Sequence, residues 1–222
     1  MDRPLLFVFD DYADMVRELV AMSHLRLGKF QTHRFLNQEL YIKLNTDVCG
    51  AECFVFGSLA PPDTNLHSFL LLCHTLKKEG AVKLTAILPY LAYSRHDKDE
   101  PKKSHGTAFI ADLLASVGVD DIITFDIHSQ HAERLFSIPL KSISPASLFG
   151  DQISSMDLTN VTLVSPDEGA VERCAEVAKA SGIHDEIVYI KKSRTEDGVT
   201  HGALHGVVKS RAFIIDSCFK FI

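Results

Sequence analysis

Ile87-Leu-Pro-Tyr-Leu-Ala-Tyr-Ser-Arg-His-Asp-Lys98, entered from the apolar run Val82-Lys-Leu-Thr-Ala-Ile-Leu88, sets the reading of this chain. Residues 82–88 have the composition of a buried strand. After Pro89 the character changes at once, to Tyr90, Tyr93, Arg95, His96, Asp97, Lys98, Asp99 and Glu100. In an open α/β sheet, ligands collect beyond the carboxyl ends of the strands, so this placement suits a functional loop. Taken alone, the same residues read equally well as a solvated connection.

The pattern on either side of that stretch is alternating strand and helix. Upstream, Leu66, Phe69, Leu70, Cys73 and Leu76 fall on one helical stripe that Lys77, Lys78 and Gly80 close, after a break at Pro61-Pro62-Asp63. Downstream, residues 107–117 form a second apolar-faced helix ending near Gly118, and residues 121–126 form a strand that delivers Asp126-Ile127-His128. At the amino end, residues 5–9 read as a strand. Met15, Leu19, Met22 and Leu25 then predict an amphipathic helix running to Gly28. Residues 29–35 and 39–44 alternate as strands joined through Leu36-Asn37-Gln38, and residues 52–58 read as a central strand.

Pro139, Ser144 and Pro145 interrupt the pattern and divide the chain into expected domains of residues 1–144 and 145–222. The second begins with a short helix over 146–153 and a strand over 161–164, followed by Ser165-Pro-Asp-Glu-Gly169. A helix carrying Val171, Ala175, Val177 and Ala178 comes next, then a strand over 186–190, a polar run over 193–202 and a last strand over 212–216. The expected class is α/β, with mostly parallel central sheets flanked by helices.

Bulk properties narrow the function classes. The 222 residues carry a formal net charge of −6, which argues against a phosphate-backbone footprint and hence against a nucleic-acid partner. The chain is 46% hydrophobic, yet no apolar run approaches a membrane span and no cleavage-site pattern follows the amino-terminal strand. Five cysteines, at 49, 53, 73, 174 and 218, are odd in number and irregular in spacing, which suggests reduced thiols and a cytoplasmic setting.

Three strand ends deliver acid or imidazole groups: Arg95-His96-Asp97, Asp126-Ile127-His128 and Asp167-Glu168-Gly169. In extended backbone, Asp126 and His128 point the same way, and with Asp167 they could hold a divalent cation through few protein ligands, as Mg²⁺ on a phosphate substrate is held. Against this stand two structural readings, His128 as the neighbour of a helix N-cap and Asp167 as a capping carboxylate. The pairs His128/His131 and His201/His205 lack a partner at a zinc spacing, and there is neither a Walker-type loop nor a dinucleotide fingerprint. Lys191, Lys192 and Arg194 open the polar run 193–202, which reads either as a mobile cationic loop or as a solvated hairpin.

Pro89-Tyr90 with Tyr93-Ser94-Arg95-His96-Asp97 resembles the ATP-site signature of the ribose-phosphate pyrophosphokinase family. Asp126-Ile127-His128 is similar to that family's Asp-Leu-His strand end, Ser165-Pro-Asp-Glu-Gly169 to its second metal-site turn, and Phe136-Ser-Ile-Pro139 to the segment between them. The resemblance implies two phosphoribosyltransferase-like domains. It also implies transfer of the β,γ-diphosphoryl group of Mg-ATP to the anomeric hydroxyl of ribose 5-phosphate, giving phosphoribosyl pyrophosphate and AMP.

On that resemblance Arg95, Asp97 and His128 contact ATP, His128 and Asp167 hold Mg²⁺, and Lys192 and Arg194 match the Lys-x-Arg of the catalytic loop. Phe35, Asn37 and Glu39 match a Phe-x-Asp-Gly-Glu segment that reaches the adenine of a neighbouring subunit, which implies a homodimer or hexamer. Asn37 and Gln38 depart from that segment's Asp and Gly, and Ala170 stands where a second glycine is usual. Asp216 matches the start of the ribose 5-phosphate loop, whose paired aspartates and Thr-Gly-Gly-Thr-like turn are replaced by Ser217-Cys-Phe-Lys-Phe-Ile222. The expectation is a truncated second domain and an impaired ribose 5-phosphate half. A non-catalytic regulatory subunit that pairs with a complete synthetase, and a nucleotide-binding phosphoribosyltransferase-like module with another substrate, are the competing readings.

Overall fold

The computed structural model describes residues 3–195 and 198–215, apart from the side chains of 192–195 and 198–201. The chain forms two compact units, Met1–Ile143 and Ser144–Ile222.

In chain order the first unit runs β1 (Leu5–Val8), α1 (Val16–Met22), β2 (Arg26–Leu27), β3 (Phe30–Arg34), β4 (Leu40–Leu44), β5 (Glu52–Phe56), α2 (Asp63–Lys78), β6 (Lys83–Leu88), α3 (Gly106–Ser116), β7 (Asp121–Phe125), α4 (Gln130–Arg134) and β8 (Leu140–Ile143). Six of its strands form one sheet in the order β2-β1-β5-β6-β7-β8, with every neighbouring pair parallel. Side chains alternate across a strand, and β1 shows why both faces must be covered. Leu5 and Phe7 enter the main core, among residues of α2, α3 and β5–β7, while Leu6 packs on the opposite face with Val16 and Phe56. The separate hairpin β3–β4 is antiparallel, and β4 packs against α2.

Helix α2 follows its sequence signals closely. Asp63 lies in the first turn, Lys77 and Lys78 in the last, where each charge complements the helix dipole, and Gly80 takes φ +95 just beyond the end. Its buried face is Phe69, Leu72, Cys73 and Leu76.

Four expectations need correction. The helix expected to reach Gly28 stops at Met22, because Ser23 turns to extended backbone and Arg26–Leu27 pairs with Leu5 and Leu6 instead. Its expected apolar stripe is also out of phase: a 3-10 turn at Asp10–Tyr12 precedes it, the buried face is Val16 with Val20, and Met22 is 88% exposed. Residues 139–145, read as an interruption, contain β8, whose Ser142 and Ile143 supply partners for the chain after β7. Asp126 takes φ +45, so the extended backbone that would point Asp126 and His128 the same way ends at Phe125.

The second unit comprises α5 (Ala146–Ser154), β9 (Val161–Ser165), α6 (Val171–Ser181), β10 (Val188–Thr195), β11 (Gly198–His205) and β12 (Arg211–Ile214). Its sheet order is β11-β10-β9-β12, with β9 parallel to both neighbours and β10 antiparallel to β11. The polar run 193–202 is therefore largely strand: Lys192 pairs with His201 and Arg194 with Val199. Ile153, Leu163, Cys174 and Val177 anchor a core of their own.

Candidate functional site

Parallel pairing of Leu88 with Thr124 brings the carboxyl ends of β6 and β7 side by side, so the segments that follow them start as neighbours. The first of these, residues 89–98, is a structured turn. The Ser94 amide donates to the Leu91 carbonyl at 3.4 Å and the His96 amide to the Tyr93 carbonyl at 3.0 Å, while Leu91, Ala92 and Ser94 are buried beneath. Tyr93 adopts φ +67 to make this turn.

The start of α3 holds it from the side. The Thr107 hydroxyl donates to the Tyr93 carbonyl at 2.9 Å and the Thr107 amide to the His96 carbonyl at 3.2 Å. A carbonyl only accepts, so the 3.0 Å contact of His105 Nε2 with the Asp97 carbonyl places the proton on Nε2. The approach is close at Gly106, where a Cβ would stand 3.2 Å from His96 Cβ and would require the His96 turn to shift by a few tenths of an ångström.

On this frame Arg95 and His96 are exposed, whereas Asp97 turns inward and is only 7% exposed. The Ser129 hydroxyl donates to Asp97 Oδ2 at 2.5 Å. Burial on its own would raise the Asp97 carboxyl. The Ser129 hydroxyl, the backbone amide of Asp97 and the nearby charges of His128 and His131 outweigh that and hold it below the ordinary carboxylate range.

After β7 the Asp126 amide donates to the Ile143 carbonyl at 3.1 Å and the Ile127 amide to Ser142 Oγ at 3.0 Å. His128 follows, exposed, and Ser129 caps α4 by accepting from the Ala132 amide at 3.0 Å. Arg95 and His128 thus stand on adjacent strand ends of one unit. Ser129, His105, Thr107 and Ser142 are what sequence reasoning passed over; of these only Ser129, a serine directly before a helix, carried a sequence signal.

In the same sheet the direction of strand progression reverses between β1 and β5, the position where open α/β folds usually leave a crevice. Here aromatic packing fills it. The Phe9 ring lies 5.2 Å from Phe30 and 6.1 Å from Phe69, and a Cβ on Gly57 would meet Phe9 at 2.7 Å.

The hairpin tip presents Phe35, which is exposed and lies 4.6 Å ring to ring from Tyr41. Asn37 Oδ1 accepts from the Glu39 amide at 3.2 Å, and Gln38 adopts φ +71 where the resembling segment carries glycine.

In the second unit Asp167 caps the short 3-10 turn Glu168–Ala170, its Oδ1 accepting from the Ala170 amide at 3.0 Å, while Ser165 Oγ donates to the Asp167 carbonyl at 2.7 Å. Pairing of Ser165 with Tyr189 sets this turn against β10, the strand that carries Lys192 and Arg194 along its backbone. The side chains of Lys192 and Arg194, and the whole of Asp216, lie outside the described residues.

No group of three or more His, Cys, Asp or Glu is gathered to hold a metal among the described residues. Asp167 in the second unit offers a hard carboxylate oxygen of the kind Mg²⁺ takes alongside phosphate and water, and His128 in the first unit offers an exposed imidazole, each a donor within its own unit. The buried thiols do not suit nucleophilic work: burial pushes Cys53 and Cys174 up to about 11 and Cys73 higher still. No helix among the described residues is long and apolar enough to cross a membrane.

The fold is α/β, with a mostly parallel central sheet flanked by helices and a second sheet unit. It superposes on the crystal structure of phosphoribosylpyrophosphate synthetase from Mycobacterium smegmatis with a TM-score of 0.82 and 26% identity, covering 95% of this chain and 70% of that one. Residues 5–118 match the model for the N-terminal domain of ribose phosphate pyrophosphokinase, and the chain belongs to that family. It is 30% identical over 192 residues to the ribose-phosphate pyrophosphokinase of Haemophilus ducreyi, covering 84% of this chain and 60% of that protein. With the Vibrio parahaemolyticus relative it shares 28% identity over 214 residues, 95% of this chain and 68% of the relative.

Proposed function

We propose that this chain is a ribose-phosphate diphosphokinase, moving the diphosphoryl group of Mg-ATP to the anomeric hydroxyl of ribose 5-phosphate. The observation that carries the reading is the pairing of β6 with β7, which sets the Arg95 turn and the His128 turn side by side on one rigid base. Such transfer needs in-line placement and charge neutralisation more than a covalent nucleophile.

Arg95 supplies a forked cation to the polyphosphate, and Asp97 braces the turn that presents it. His128 and Asp167 are the residues that would hold Mg²⁺, which when bound neutralises phosphate charge. Lys192 and Arg194 stabilise the transferring group, and Asp216 belongs to the ribose 5-phosphate side. Phe35, Asn37 and Glu39 reach the adenine held by a neighbouring copy, so the working form is a homodimer or hexamer, and the setting is cytoplasmic. The two units act as paired phosphoribosyltransferase-like domains.

Isothermal titration of the full chain with ATP in the presence of Mg²⁺, followed by an AMP-release assay with ribose 5-phosphate, tests the reading. Arg95→Ala is expected to weaken ATP binding about ten- to a hundredfold, the scale of a lost charge-assisted contact. ATP affinity unchanged by that substitution would remove Arg95 from the site, and no AMP release under any Mg²⁺ concentration would overturn the activity.

A further inference from the structure

We infer that Ser129 is a positioning residue for the ATP subsite, acting as a latch that fixes Arg95 and His128 relative to one another; this rests on the function proposed above. The Ser129 hydroxyl makes two contacts of opposite sense. The Ala132 amide can only donate, so its 3.0 Å contact occupies Ser129 Oγ as acceptor, and the hydroxyl proton is left for Asp97 Oδ2 at 2.5 Å. Both partners are thereby fixed in role, and the contact with the ionised carboxylate is of the charge-assisted kind.

Its position gives the bond its consequence. Asp97 lies two residues from Arg95 and Ser129 one residue from His128, so the bond ties the turn after β6 to the turn after β7 at the point where each presents its exposed side chain. Asp97 is buried, and the turn behind it is bonded to the start of α3, so the carboxylate cannot move outward to find a substitute donor without breaking the contacts of His105 and Thr107. A hydroxyl that only capped a five-residue helix would have no reason to meet a buried carboxylate from another strand end. The latch holds the spacing of the two groups before ATP arrives, and binding energy is then not spent on ordering them.

The test compares the full-length wild type with Ser129→Ala, Ser129→Thr, Asp97→Ala and the double alanine variant, measuring ATP affinity with Mg²⁺ by calorimetry alongside amide exchange over residues 91–98. Ser129→Ala is expected to weaken ATP at least tenfold and to speed exchange in that turn, with the KM for ribose 5-phosphate unchanged. Ser129→Thr, which keeps the hydroxyl, is expected to restore both, and the double variant to bind ATP no worse than the weaker single variant. A cap-only role would lower thermal stability while leaving ATP affinity and the 91–98 exchange at wild-type values, and that result overturns the latch. If Ser129→Ala fails to fold, the other two single variants decide: ATP affinity and 91–98 exchange at wild-type values in Asp97→Ala, or Ser129→Thr weakened as far as Asp97→Ala, refute it. Failure of the wild type to bind ATP would instead refute the underlying function, and the latch with it.

Discussion

Thr124 lies on β7 two residues before the turn that leads to His128, fully buried, and among the described residues its hydroxyl finds no partner. A buried hydroxyl without a hydrogen bond costs about 1–3 kcal/mol of desolvation. Thr124→Val keeps the branched shape that suits a strand and removes that cost. The substitution is expected to raise the unfolding free energy by about 1 kcal/mol in urea denaturation; a loss of stability would mean that the hydroxyl is satisfied. At this scale the sequence was informative about which side chains are chemically able and much less so about their roles. Arg95 and His128 were legible because charge at the end of an apolar strand is a local signal, and both are exposed. Asp97 was legible as a charged loop residue, but its inward turn depends on Ser129, which lies on a different strand end. A contact between residues so far apart in sequence leaves no mark on local composition. Asp126 was misread for a related reason: its positive φ is set where its amide bonds to Ile143 on β8, a strand that local patterning did not reveal.

Elements were most legible where capping and periodicity agreed, as in α2, and least where tertiary pairing decided. β2 has two residues and exists through its register with β1; no periodicity marks so short a strand. The run 193–202 reads either as a mobile cationic loop or as a hairpin, and only backbone pairing decides between them, drawing most of it into β10 and β11. The packing of α5 on α6 gives a test at this level. Gly150 on α5 is where the two helices touch, and a Cβ there would stand 2.4 Å from Ala180 Cβ and 2.7 Å from the Ala180 carbonyl carbon. Backbone cannot yield as a side-chain tip can. Gly150→Ala gains helix propensity worth about 1 kcal/mol, but it forces the helices apart, and overpacking of this kind costs about 1–3 kcal/mol. A net loss of stability is expected in urea denaturation. Ala180→Gly in the same chain recovers part of it, and equal stability of Gly150→Ala and wild type would show that the helices separate freely.

Among the described residues, the apolar side chains sort by unit. The clusters built on Leu84, Phe69 and Ile110, and on Leu6, Val16 and Phe56, draw on the first unit alone, and the cluster built on Leu163, Cys174 and Val177 draws on the second alone. Apolar burial is the main favourable term in folding, so two separate cores imply two units of cooperative opening. Leu163 is 1% exposed at the centre of the second core, and Leu→Ala at such a site costs about 2–5 kcal/mol. Leu163→Ala is therefore expected to strip amide-exchange protection from β9, β10 and α6 while β5, β6 and β7 keep theirs. Leu84→Ala should do the reverse. The distinction bears on function, because the Arg95 and His128 turns stand on the first core, and the Asp167 turn with the backbone of Lys192 and Arg194 stands on the second. If the cores open separately, Leu163→Ala will leave the 91–98 turn as protected as in the wild type. Equal loss of protection in β6 and β9 from either substitution would show one cooperative unit instead.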